Sequence, residues 1–188
     1  MVGRVKRATT VVLFVFVLAV VASALAAGPM GSRVNPYRVR TFVRVPDGRG
    51  WKLRVNKAIP NATRAVVRLN KFNAPPRAGD QYFIINISLG FAGNRANTFF
   101  PGTPRRANTP FPPTRLSAVG RSNITYTSIT DSCGSVPHAL NFGWRVRSGE
   151  SVTGNICFSV GKTDVRGLLL KYEDGLSLHP KAVFFKLR

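Results

Sequence analysis

The stretch Gln81 to Phe91, QYFIINISLGF, constrains the fold more tightly than any other part of the chain. Phe83, Ile85, Ile87, Leu89 and Phe91 share one parity, while Tyr82, Ile84, Asn86 and Ser88 share the other. Side chains alternate across a strand, so this segment has one wholly apolar face and one half-polar face. A helix would spread the same residues around its circumference. The pattern predicts a strand in a sheet covered on one side.

Similar short runs recur between turn signals, and no stretch outside the N-terminus shows a convincing helical period. In WKLRVNK, Trp51, Leu53 and Val55 oppose Lys52, Arg54 and Asn56. RAVVRLNKF reads as a second strand, and TRLSAVG, NITYTSI, SVTGNICFSV, GLLLKYE and AVFFKLR bring the total to seven or eight. PDGRG (46–50) and RSGES (147–151) carry turn chemistry. Residues 92–115 hold five prolines and no acid, which predicts a long Pro/Arg-rich loop, because proline cannot donate to a ladder. An all-β domain follows. A two-sheet sandwich is the favoured architecture and a closed barrel the alternative.

The N-terminus belongs to a different physical regime. Arg4, Lys6 and Arg7 precede an apolar run from Val11 to Ala26, which ends in the small-residue triplet Ala24-Leu25-Ala26. Sixteen residues fall short of the roughly 20 that span a bilayer as a helix. The features predict a secretory signal peptide over 1–26. An uncleaved N-terminal signal anchor, with the domain still outside the cytoplasm, is the alternative. No cysteine follows the run to carry a lipid. Residues 27–40 read as a flexible basic lead-in and 41–188 as the folded domain. Losing 1–26 removes three cations, so the formal charge falls from +21 to +18. Such a charge favours polyanions, although an arginine excess also arises from a GC-rich genome.

DSCGS (131–135) sets a serine, a cysteine and an acid side by side. It reads either as a nucleophile site or as one end of a disulfide. Cys133 and Cys157 are the only cysteines in a chain addressed to an oxidising compartment, which favours pairing. A closed loop of about 25 residues would contribute roughly 3 kcal/mol. By parity Cys157 stands with Thr153, Asn155 and Ser159, opposite Ile156, Phe158 and Val160. The bridge would therefore pin 131–140 onto the outside of the sandwich. The catalytic reading lacks a base, because the two histidines, His138 and His179, follow turn or loop sequences. Ser132 and Ser135 lack a G-x-S-x-G elbow. No metal-ligand spacing is present, and GKTD (161–164) lacks the upstream glycine of a phosphate-binding loop. No catalytic, metal or cofactor residues are assigned, and a non-enzyme is expected.

GRGWKLRVNKAIPNAT, LNKFNAPPRAGDQYFIINISL, DSCGSVPHAL, SGESVTGNICFSV and a closing VFFKLR occur in that order. Together they resemble a bacterial secreted domain family of unknown function, frequent in actinobacterial secreted proteins and lipoproteins. The family is sometimes labelled after a telomeric repeat-binding factor, and its fold is similar to that of a small mycobacterial secreted immunogenic protein. The likeness runs from Gly48 to Arg188. Its most specific pieces are P-P-x-A-G-x-Q at 75–81 and the G-N dipeptide before Cys157. The resemblance implies an immunoglobulin-like sandwich outside the cytoplasm and brings no catalytic residues. Many members pair a C-G cysteine with one in the G-N-x-x-F strand, or lack both. This chain departs in lacking the lipoprotein cysteine and in its enlarged 92–115 loop.

Residues 33–77 carry 12 Arg or Lys against one acid, Asp47. Arg38, Arg40, Arg44, Lys52, Arg54, Lys57, Arg64 and Arg68 form the candidate basic surface, with scattered solvated charge as the competing reading. The expected function is a non-enzymatic extracytoplasmic interaction module that holds an anionic cell-envelope polymer or an extracellular protein. A passive structural or antigenic secreted protein is the alternative, and an envelope enzyme a weaker one. Dedicated nucleic-acid binding is not expected, since the aromatic interleaving that stacks bases is missing. Membrane contact is expected only through an uncleaved N-terminal segment.

Overall fold

The computed structural model describes residues 28–46, 50–93, 97–98, 116–141, 145–173 and 181–188. The signal segment, most of the 92–115 loop, His179 and the acids Asp47 and Asp174 lie outside the described residues. The strands are β1 (Val43–Arg44), β2 (Trp51–Ile59), β3 (Asp80–Phe91), β4 (Asn97–Thr98), β5 (Leu116–Val119), β6 (Thr125–Thr127), β7 (Arg145–Val146), β8 (Ser151–Gly161), β9 (Leu169–Glu173) and β10 (Ala182–Lys186). Three of these ten, β1, β4 and β7, are two-residue pieces too short to show alternation in a sequence. Two four-stranded antiparallel sheets, ordered β1-β2-β3-β8 and β10-β9-β5-β6, face each other, and β4 pairs with β7.

The predicted apolar parity of β3 forms the centre of the core. Phe83, Ile85, Ile87, Leu89 and Phe91 meet Leu53, Val55, Ile156 and Phe158 of their own sheet. Opposite stand Leu116, Ala118, Leu170, Tyr172 and Phe185 from the second sheet. The ring of Trp51 lies 5.0 Å from that of Phe91, both buried.

The structure corrects three expectations. RAVVRLNKF is not a strand: Thr63–Leu69 form the one α-helix among the described residues, α1. Its buried residue Val66 and the N-cap Ala62, four apart, pack with Tyr82 and Ile84. Seven residues are too few to display a helical period, and the helix is held from outside. Ala62 N donates to Tyr82 O at 2.7 Å and Thr63 Oγ1 accepts from Tyr82 N at 3.1 Å. Second, the polar parity of β3 is not open to water, because Tyr82, Ile84 and Ser88 are all buried. Third, residues 28–40 are tied down. Phe184 N donates to Gly31 O, Tyr37 N to Phe184 O and Lys186 N to Tyr37 O, all at 2.7–2.8 Å. The lead-in satisfies the backbone groups that β10 would otherwise leave open at its edge.

The connection after β8 is locked by a buried acid. Asp164, 3% exposed, accepts hydrogen bonds from the Ser122 hydroxyl, from Ser122 N at 3.2 Å and from Tyr126 Oη at 2.8 Å. Burial alone pushes this carboxyl up, but the bonds from Ser122, Tyr126 and the Arg121 backbone outweigh it and hold it below the ordinary range. Burial, then the bond to Asp164, pushes the Tyr126 phenol up to about 12. A carboxyl depressed in the folded state stabilises above its unfolded value, and that contribution fades as pH falls through the folded value. Asp164→Asn should therefore cost about 1–3 kcal/mol at neutral pH. Urea unfolding should show the deficit shrinking as the pH drops below roughly 4, where the unfolded chain's carboxyl protonates while the folded one is still ionised.

Candidate functional site

The outer side of the β1-β2-β3-β8 sheet gathers the chain's distinctive chemistry. A bulge in β2 sets two residues, Asn56 and Lys57, against Asn86 of β3. Lys52, Arg54, Asn56 and Lys57 thereby stand on the outer face, across from Gly90, Ser88 and Asn86. A directional row of hydrogen bonds crosses the sheet. Arg54 Nε donates to Asn56 Oδ1 (2.8 Å), Asn56 Nδ2 to Asn86 Oδ1 (2.8 Å) and Asn86 Nδ2 to Asn155 Oδ1 (2.7 Å). Asn155 Nδ2 then donates to Pro137 O at 2.7 Å. Each amide in the row both donates and accepts, so half-buried polar groups are satisfied in one orientation.

The last acceptor belongs to the strap formed by residues 131–140. Asp131 O accepts from Ser159 N, His138 O from Asn155 N, and Leu140 N donates to Asn155 O, all at 2.8–2.9 Å. These bonds close the free edge of β8. Gly154 is required here because a Cβ would lie 2.5 Å from Leu140 Cα, where the strap turns Leu140 into the core. The G-N dipeptide therefore has two jobs: the glycine admits the strap and the asparagine clamps it.

Cys133 and Cys157 are joined as a disulfide, with Cα atoms 5.9 Å apart, inside a small outer cluster with Ala62, Val66, Tyr82 and Ile84. Cys157 lies on the outer parity, yet it is buried beneath the strap and α1. Cys133 thus offers no thiolate. His138 is exposed at φ 49°, and Asp131 is engaged by Thr127 N at 2.8 Å and the Thr130 hydroxyl at 2.6 Å. DSCGS also grips the loop after α1. Asn73, buried, donates through Nδ2 to Val66 O and Ser135 O, each at 2.7 Å, and accepts from Ser135 N at 2.9 Å. The sequence pattern did not single out Asn73 and marked Asn155 only as part of the G-N dipeptide, because an asparagine's clamping role depends on where distant carbonyls fall.

The eight basic positions divide into three groups. Arg44 and Lys52 are directly opposed across β1 and β2, with Arg54 and Lys57 farther along the same face. Arg64 and Arg68 are exposed one turn apart on α1. Arg38 and Arg40 are exposed on the segment leading from β10 to β2, where Arg40 N donates to Val55 O at 2.7 Å. The Arg54 guanidinium lies 4.4 Å above the Phe42 ring. Beside the Arg44–Lys52 pair is a depression of about 370 Å³ bordered by Phe42, Lys52, Gly90 and Ser151. Glu150 also borders it, with its carboxylate turned to Arg147 N at 2.8 Å. Among the described residues the one ion pair is Lys171–Glu173, far along the chain on β9. Among those residues, too, no three His, Cys, Asp or Glu come together.

Disulfides persist in oxidising compartments, and among the described residues no helix is long and apolar enough to cross a membrane. Replacing both Cys133 and Cys157 with serine should lower stability by about 3 kcal/mol. Gly154→Ala should also destabilise the fold, by displacing Leu140. Hydrogen exchange should then accelerate first at the amides of Asn155, Ser159 and Leu140, which report the strap's attachment.

No family model matches the chain, and no curated protein matches it significantly. Among solved structures, the candidate lipoprotein ycdA of Bacillus subtilis is 14% identical with a TM-score of 0.48. That match covers 74% of this chain but only 36% of ycdA, so the chain spans about a third of that protein. The yjhA protein of Bacillus subtilis is 13% identical over 81% of this chain and 99% of its own, with a TM-score of 0.47. A conserved hypothetical protein of Bacillus anthracis is 10% identical over 78% of this chain and 94% of its own, with a TM-score of 0.45. Likenesses at this level say nothing of what the chain binds.

Proposed function

We propose that the chain is a secreted, non-enzymatic interaction module with an immunoglobulin-like sandwich, and that the outer face of β1 and β2 holds an anionic polymer of the cell envelope. The observation that carries this reading is the Arg44–Lys52 pair. Like charges directly opposed across antiparallel strands destabilise a sheet. Here Lys52 borders a depression that Gly90 also lines, with Arg54 and Lys57 on the same face. A phosphate or carboxylate in that depression would relieve the repulsion and recover the folding cost. The signal-like N-terminus, the disulfide and the resemblance to a secreted domain family support a location where such polymers occur. The disulfide occupies the Cys133 sulfur, which a cysteine-nucleophile reading of DSCGS would need free.

Arg44, Lys52 and Lys57 are suitable probes, because Arg54 also braces Asn56 and Phe42. Co-sedimentation with isolated bacterial envelopes should saturate at low salt and weaken as salt rises. Arg44→Gln/Lys52→Gln/Lys57→Gln should weaken it by about tenfold or more, while thermal stability holds or rises as repulsion is removed. Binding that ignores salt, or a triple variant that binds as wild type does, would refute the assignment. Salt-independent binding would point instead to an extracellular protein partner.

A further inference from the structure

We infer that the tip formed by the end of α1 and the loop after it, Leu69 to Phe72, is a docking point for an anionic lipid surface. Phe72 is 82% exposed and its neighbour Leu69 50% exposed. An aromatic ring left this far in water on a slack loop would fold back onto the protein. This loop cannot collapse, because both sides of the ring are braced. Phe72 N donates to Asn70 Oδ1 at 3.0 Å, and Asn70 Nδ2 donates to Ser135 Oγ at 3.2 Å. On the other side, Asn73 is locked between Val66 O and the Ser135 backbone, and Tyr82 Oη donates to Ala74 O at 2.7 Å. Gly134, at φ +73°, leaves room for this bracket, since a Cβ there would lie 2.4 Å from Asn73 Oδ1. The disulfide at Cys133 anchors the bracket to β8.

The chain segment that forms the tip carries charge of one sign. From Pro60 to Gly79 the chain carries Arg64, Arg68, Lys71 and Arg77 and no carboxylate. All four are exposed, and Lys71 Nζ lies 5.1 Å from the centre of the Phe72 ring. A hydrophilic polyanion would use the cations but gain nothing from a projecting phenyl ring. An apolar protein groove would take the ring but need no ring of cations. A bilayer interface uses both, with apolar side chains entering the acyl boundary while cations meet lipid phosphates. The tip is separate from the Arg44–Lys52 face, so this inference does not depend on that assignment.

The test compares the purified chain with Phe72→Ala, Phe72→Trp and Arg44→Gln/Lys52→Gln/Lys57→Gln variants on vesicles of phosphatidylcholine with and without phosphatidylglycerol. In Phe72→Trp the emission of the introduced indole, read as the difference from the wild type with its two native tryptophans, should shift to the blue on phosphatidylglycerol vesicles, and less so at high salt. It should not shift on phosphatidylcholine alone. Phe72→Ala should reduce affinity for the anionic vesicles about tenfold, with an unchanged unfolding midpoint because the ring is already exposed. The triple variant should keep the vesicle affinity. An unshifted indole on anionic vesicles, an equal shift on both lipids, or full affinity in Phe72→Ala would each overturn the proposal.

Discussion

Everything in this domain is arranged around the two-sided burial of β3. Its inner parity supplies the centre of the core between the sheets, and its outer parity is capped by α1, the disulfide and the strap. A strand open on one side could stand at the surface of a sandwich. One closed on both sides must have a layer built over it. The chain builds that layer from non-strand material, so α1 and residues 131–140 exist in their observed positions because Tyr82, Ile84 and Cys157 need cover.

Covering an apolar patch does not by itself fix where the covering pieces sit, since apolar contact is non-directional. Direction comes from the amides. Asn155 clamps the strap to β8, and Asn73 clamps the α1 loop to the strap. The disulfide joins the two systems at Cys157. Each clamp depends on a glycine that removes a side chain at the contact, Gly154 beneath Leu140 and Gly134 beside Asn73. DSCGS is thus a structural bracket: its cysteine anchors, its glycine yields space and its second serine holds a loop through the backbone.

The same rigidity separates two chemistries on one side of the molecule. Near Gly90 the outer face is polar, small-residued and flanked by opposed cations. At the far end, beyond Ile84 and Cys157, the braced tip displays Leu69 and Phe72 among cations. A face that gathers an anionic polymer and a tip that meets lipid phosphates would place the domain at the boundary between envelope and membrane. Both use charge, and only the tip uses apolar area, which is why salt and Phe72 substitutions discriminate between them.

The sequence alone determined the strands β2, β3, β5, β6, β8, β9 and β10, because strand pattern and turn signals are local properties of the chain. It also placed Cys157 on the outer parity of its strand and located the cationic stretch. Tertiary structure alone decided that RAVVRL, the first part of RAVVRLNKF, winds into α1. Its two valines suit a strand, and what makes it helical is the hydrogen bonding of Ala62 and Thr63 to Tyr82. Tertiary structure likewise tied down the lead-in, since the need to pair the edge of β10 is invisible until that edge exists. It also sorted the eight cations into three groups, because which charges share a surface depends on strand register and a single bulge at Asn56, neither of which has a local signature.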